Sequence, residues 1–182
     1  MALRLRLAAA LAVLAAPACG GDGGGANIPD SEYCATVASW DADMEDEEDE
    51  ILRLVNEARA AGADCGSAGT FAPTSSLAME PRLRCAARVH SKDMVDRNFF
   101  DHTNPDGEDP FDRMARAGYS FSTAGENIAS GSQSAQDTMT LWMGSAGHCA
   151  NIMNPNFTEI GVGYYRSGNQ HLWTQKFGTP AP

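Results

Sequence analysis

Helical periodicity in the first part of the chain, followed by two alternating runs about a Ser-Gly-Asn turn, predicts an α+β domain. Three observations carry this. Apolar residues recur at helical spacing from Ile51, two later segments open on capping signatures at Asp109 and Ser134, and "EIGVGYY" and "HLWTQKF" alternate on either side of "SGN". Helices that precede an antiparallel hairpin, rather than alternating with strands, argue against a parallel βαβ array.

The first firm helix is "EILRLVNEARAAG". Ile51, Leu54, Val55 and Ala58 fall at i, i+3, i+4 and i+7, and Gly62 stops it. "TFAPTSS" is loop. The next helix starts at Pro81, a residue suited to a first helical position, and lays Leu83, Ala87, His90 and Met94 on one face. That places His90 on an apolar stripe, as a hydrogen-bonded histidine facing the core. "FFDHTNPDGED" is a loop of turn formers. Asp109 then caps a short helix that contains Pro110, turns Phe111, Met114 and Ala115 inward and ends at Gly118. "GENIASG" follows, and a further helix begins after Ser134, with Asp137 completing a capping-box-like pair. Met139, Trp142 and Met143 give it a buried face. Ile160, Val162 and Tyr164, then Trp173 and Phe177, alternate along the closing hairpin.

The start of the chain predicts export. Arg4 and Arg6, the apolar run Leu7 to Ala16 and "PAC" read as a secretory signal over residues 1–18, too short to span a bilayer. Cys19 resembles the lipidated first residue of a mature bacterial lipoprotein. Residues 20–30, "GGDGGGANIPD", form a tether that reaches at most ~40 Å when extended. Tether and acidic segment together occupy residues 19–47. The whole chain of 182 residues carries a net charge of −11, but residues 51–182 hold 11 Lys+Arg against 13 Asp+Glu, a net of −2. Eight acids lie in "DADMEDEEDE", which lacks the alternating ligands and central glycine of a calcium loop and reads as a solvated helix entrance. No basic stripe exists, which excludes nucleic acid as the expected partner.

Setting Cys19 aside leaves Cys34, Cys65, Cys85 and Cys149, an even set for an oxidising compartment, with three pairings open. No C-x-x-C occurs, so neither a redox motif nor a thiolate zinc site is expected. Cys149 therefore reads as a disulfide half, not as a nucleophile paired with its neighbour His148.

Three ionisable residues sit at turn-like positions beside small residues: His102 in "FFDH", Glu126 in "GENIA" and His148 in "SAGH". Two imidazoles and a carboxylate can hold a divalent cation with an open water position, or form a hydrogen-bond network that responds near neutral pH. Ser145 lies outside any G-x-S-x-G elbow, because Met143 takes the first glycine position.

The blocks "HSKDMVDRNFFDHTNPDGEDPFDRMARAGY", "GENIASG", "LWMGSAGHCANIMNPNFTEIGVGYY" and "HLWTQKFG" resemble, in order, the CAP superfamily of cysteine-rich secretory proteins, antigen 5 and plant pathogenesis-related proteins, in its compact bacterial secreted branch. The likeness spans about residues 48–178. It implies a three-layer α-β-α sandwich, a central antiparallel sheet between helices, with a cleft on one side. Members with the full polar tetrad carry two histidines and two glutamates there, reported to bind zinc or similar ions in some. His102, Glu126 and His148 match three of the four. The other glutamate lies three residues after the tryptophan, and three after Trp142 is Ser145, so one carboxylate is lost. By the same resemblance Asn127 and Asn151 orient the site, and Cys65 pairs with Cys149, Cys34 with Cys85.

Three functions follow as expectations. The first is a monomeric extracytoplasmic binding module, membrane-anchored through Cys19 or secreted. Its cleft, lined by His102, Glu126, His148, Asn127, Ser145 and Asn151, would take a small molecule, lipid or cell-wall component, with Zn2+ or another divalent cation held by His102, His148 and Glu126. The second is a metal-assisted hydrolase with Glu126 as general base. The third is a scaffold in which the triad only tightens the fold.

Overall fold

The computed structural model describes residues 28–182. The expected signal segment 1–18 and the expected lipidation at Cys19 lie outside the described residues. After a 3-10 turn at Ala35–Val37, α1 spans Ala42–Ala61, capped by the Asp41 carboxylate, which accepts from the Asp43 N–H at 2.9 Å. The helix thus begins well before Ile51 and takes in the acidic run. Acids in its first turn are favoured by the helix dipole. The run is not uniformly solvated, however: Met44 and Glu48 are buried, because α2 and the sheet pack against that side.

A two-stranded ribbon, β1 (Ala63–Asp64) and β2 (Thr70–Phe71), leads to the short β3 (Ala78–Met79) and α2 (Pro81–Asp96). Glu80 caps α2, accepting from the Leu83 N–H at 2.8 Å, with Pro81 in the first turn. Leu83, Ala87, His90 and Met94 are all buried, as the periodicity predicts. α3 (Pro110–Arg116) opens on a full capping box between Asp109 and Asp112. Its inner face differs from the one expected: Arg113 and Met114 are buried, whereas Phe111 and Ala115 are exposed. The helix is rotated so that Pro110, Arg113, Met114 and Ala117 form its i, i+3, i+4, i+7 stripe.

Next come β4 (Phe121–Ser130), α4 (Ala135–Met143), α5 (Ala146–Met153) and the hairpin β5 (Glu159–Ser167) with β6 (Gln170–Pro180). Gly168 takes φ +57 in the hairpin turn. The "GENIASG" stretch is therefore strand and "AGHCANIM" is helix, so Glu126 and His148 sit on regular elements; of the three expected turn residues only His102 lies in a loop.

The four-stranded sheet runs β3-β5-β6-β4 and is antiparallel except for β3, which pairs parallel with β5. Helices cover both faces, giving the three layers implied by the resemblance. On one face Ile51 and Val55 of α1, Trp142 of α4 and Ile152 of α5 join Ile160, Val162, Trp173 and Phe177 in a single core. On the other face α2 lies directly on β5. A Cβ on Gly161 would sit 2.0 Å from the Leu83 carbonyl carbon, and one on Gly163 would sit 2.3 Å from that of Ala87. Only glycine permits this approach, and Ser91 secures it by donating to the Gly163 carbonyl at 2.8 Å.

Both disulfides form as the resemblance implies. Cys34–Cys85 ties the N-terminal segment to α2, and Cys65–Cys149 ties the turn after β1 to α5. Each closes a long loop and contributes about 2–4 kcal/mol.

Candidate functional site

The site is built at β4, the last strand of the sheet. Glu126 and Lys176 are direct cross-strand partners between β4 and β6, so both side chains point to the layer of α2 and α3. Asn127 points the other way, toward α5. A strand with opposite faces against different helices can hold two polar groups apart in this manner.

Glu126 is almost fully buried and meets four donor contacts. His102 Nδ1 lies 2.7 Å from Oε1, and Arg113 Nη2 lies 3.4 Å from Oε1 and 3.2 Å from Oε2. The Lys176 ammonium pairs with Oε2. A carboxylate offers about four lone-pair sites, so this one is saturated. Burial alone would raise its pKa; Lys176, the hydrogen bond from His102 and the charges of His90 and Arg113 outweigh that and hold it well below the usual carboxylate range.

Arg113 and Lys176 are anchored in turn. Arg113 donates to the His102 carbonyl at 2.6 Å and the Glu108 carbonyl at 2.8 Å, and Lys176 donates to the Pro110 carbonyl at 3.0 Å. These bonds fasten the 102–108 loop and the start of α3 to the sheet. Burial pushes the Lys176 pKa down to about 8, with Glu126 opposing the shift. His90, behind the cluster, is fully buried, lies 3.1 Å from the Asp101 carbonyl through Nε2, and is pushed down to about 3 by burial. It is the core histidine that its position on α2 predicts.

His102 is different: its side chain is 48% exposed. Because the ionised Glu126 can only accept, Nδ1 carries the imidazole proton, and Nε2 of the neutral ring is left as an acceptor. His148, on α5, is half-buried, and its pKa is lowered chiefly by burial and secondarily by His102. Among the described residues its ring makes no hydrogen bond to His102 or Glu126.

Amides hold α5 in place beside them. Asn151 donates to Asn127 Oδ1 at 2.9 Å and to the Glu126 carbonyl at 3.4 Å, and Asn127 donates to the His148 carbonyl at 3.1 Å and to Gln175 at 3.0 Å. Asn127 and Asn151 thus fix backbone, not side chains, of the site. Ser145 is the N-cap residue of α5, half-buried, without a side-chain capping bond.

Of the sequence-predicted residues, His102 bonds to Glu126, and Asn127 and Asn151 tie the α5 backbone at His148 to β4; two charged partners of Glu126 were missed. Arg113 and Lys176 are charged residues that sequence alone places at the surface. The signal for Lys176 lies in the hairpin: if Trp173 and Phe177 face one layer, Lys176 faces the other, and in a three-layer fold both are covered.

These residues do not fit a protein-held divalent cation. Among the described residues no group of three His, Cys, Asp or Glu side chains converges closely enough to hold a metal ion. Glu126 has no lone pair to spare, Ser145 supplies no carboxylate, and two buried cations lie against the one carboxylate present. A separate polar groove of about 820 Å³ lies between the N-terminal segment, α2 and α3, lined by Tyr33, Asp93, Arg97 and Arg116 among others. Arg113 also lines it, and is the member of the Glu126 cluster that reaches that side. No described helix is long and apolar enough to cross a membrane.

The three-layer fold recurs in solved proteins. An extracellular protein containing an SCP domain from Bacillus anthracis is 31% identical, with TM-score 0.65, over 74% of this chain and 41% of that one. An outer surface protein from Borrelia burgdorferi, 20% identical with TM-score 0.61 over 77% of this chain and 94% of that one, shares the fold. The profile of the cysteine-rich secretory protein family, CAP, matches residues 52–177, and the chain belongs to that family. The uncharacterized protein YkwD of Bacillus subtilis is 50% identical over 101 residues, 56% of this chain and 38% of that protein. The chain thus spans about two fifths of the length of the Bacillus relatives named here.

Proposed function

We propose that the chain is an exported binding module whose cleft, fronted by His102 and His148, takes an uncharged, hydroxyl-bearing ligand of the cell-wall saccharide class. One observation carries this: the Glu126–His102 bond at 2.7 Å fixes the proton on Nδ1 and leaves a half-exposed Nε2 acceptor for a ligand hydroxyl. A lipid is a poorer match, since the cleft's named side chains are polar. Two disulfides, the secretory leader in the sequence and the extracellular Bacillus anthracis relative support export. Anchoring through Cys19 is part of the same proposal, and Cys19→Ala should release the protein from the cell surface.

The hydrolase alternative is weaker on physical grounds. A general base needs a pKa near working pH and a free oxygen to receive the proton. Glu126 is held far below that range with both oxygens engaged.

The test is a titration of isotope-labelled protein with a tetramer of N-acetylglucosamine, followed by NMR. Shifts at His102 and His148 that are lost in His148→Ala support the reading. Shifts confined to residues away from β4 and α5, or none, would count against it.

A further inference from the structure

The polar cluster behind His102 carries more charge than its carboxylate can neutralise. Glu126 contributes −1, Lys176 and Arg113 +1 each, so the sum is +1 while His90, His102 and His148 are neutral. All three charged side chains are no more than 2% exposed. Buried charges persist only when paired and hydrogen-bonded, and here both cations pair with Glu126, while Arg113 Nε is left without a partner among the described residues.

We propose that the Lys176 ammonium is the built-in cation of the cleft, and that the cleft works without a divalent metal ion. This rests on reading His102 and His148 as the side chains that meet the ligand. Lys176 lies opposite Glu126 in the β4–β6 register, so its ammonium reaches Oε2 from within the sheet, and the Pro110 carbonyl fixes it at 3.0 Å. Arg113 closes the remaining side of the carboxylate. Held between these cations, Glu126 stays ionised and orients His102, the task that a carboxylate often performs behind a metal-bound histidine. Here the positive charge that balances it comes from the chain itself. A divalent ion at His102 and His148 would meet two imidazoles, no free carboxylate and a net positive cluster behind them. Lys176 is thus a positioning residue, acting on the ligand through Glu126 and His102.

The experiment measures Zn2+ binding alone, by calorimetry and by imidazole nitrogen NMR, on the disulfide-intact wild type, Lys176→Met and Lys176→Arg near pH 7. The wild type should show His102 protonated at Nδ1, with no Zn2+-induced change at its Nε2. Lys176→Met should bind Zn2+ at least about tenfold more tightly, dependent on His102 and His148, since it removes one like charge and frees one lone pair of Oε2. Lys176→Arg, which keeps the charge, should not. Stoichiometric Zn2+ at His102 and His148 of the wild type overturns the proposal, as does Lys176→Met binding no better than wild type. Should Lys176→Met fail to fold, the wild-type imidazole spectra decide alone: His102 protonated at Nδ1 and unchanged by Zn2+ supports the proposal, and a Zn2+-induced change at its Nε2 overturns it. Saccharide binding is read in a separate titration, so failure of the ligand reading leaves the metal result distinct.

Discussion

Two buried carboxylates, each paired with buried cations, behave in opposite ways. Glu48 of α1 is bridged by Arg88 at 2.6 Å and 2.9 Å, receives the Trp40 indole N–H at 2.9 Å and the Tyr164 backbone N–H at 3.0 Å, and lies 3.6 Å from Arg84. Glu126 of β4 is held by Lys176, Arg113 and His102. Burial dominates at Glu48 and raises its pKa to about 7, despite Arg88. Burial is outweighed at Glu126, whose pKa falls. The difference teaches what each cluster is for. Glu48 and Arg88 are completely covered and join α1, α2 and β5 into one body, whereas Glu126 sits one hydrogen bond behind a half-exposed imidazole.

The largest effects should come from removing either carboxylate. Glu126→Gln and Glu48→Gln should each cost about 3–5 kcal/mol in denaturant unfolding, because a buried cation is left behind. Glu126→Gln should be the more damaging. It strips two buried cations of their shared partner, whereas Arg88 keeps Glu45 at 3.3 Å. Equal losses would weaken the distinction between the clusters.

Removing the disulfides separates the same two regions at a cost of about 2–5 kcal/mol each. Replacing Cys65 and Cys149 by serine should shift the His148 resonances, since Cys149 is its neighbour on α5. Replacing Cys34 and Cys85 should leave those resonances in place and disturb the Trp40 and Arg88 side.

The pH dependence carries opposite signs. Glu48 has a folded pKa above its ordinary 4.5, so between about pH 4.5 and 7 the folded state binds more protons than the unfolded one. Its contribution therefore makes stability fall as pH rises through that window. Glu126 has a folded pKa below 4.5, so its contribution is present above that value and is lost as pH falls below it. His90, depressed from 6.5 to about 3, also makes stability fall as pH drops from 6.5. Calorimetric melting across pH 3 to 8 checks this. Relative to wild type, Glu48→Gln should lose less stability as pH rises from 4.5 to 7, while an unchanged slope would contradict the assignment.

The smallest effect should be His102→Ala. A half-exposed hydrogen-bond partner contributes about 1 kcal/mol, so the melting temperature should move little while ligand binding is lost.

Much of this fold is legible in the sequence, because caps and periodicity are local. Pro81, the Asp109 capping box, Ser134 and the alternation about Gly168 each fix an element within a few residues. β4 was not legible: "FSTAGENIAS" buries Glu126 and Asn127 on opposite faces, so it shows no apolar alternation, and only its pairing with β6 makes it a strand. The face of α3 was misjudged for a related reason, since Arg113 occupies an inward position that a long apolar residue would ordinarily fill. Of the site, His102, Glu126 and His148 were visible as residues. The cations that determine their chemistry were not, because the alternation that turns Lys176 away from Trp173 and Phe177 marks burial only once both faces of the sheet are known to be covered.

The most direct test is a carbon-13 titration of the Glu48 and Glu126 side-chain carboxyls in one sample. Glu48 should titrate near pH 7, and Glu126 should remain ionised down to the lowest pH at which the fold persists. A Glu126 carboxyl that protonates at or above its ordinary value, or before Glu48 does as pH is lowered, would contradict the account.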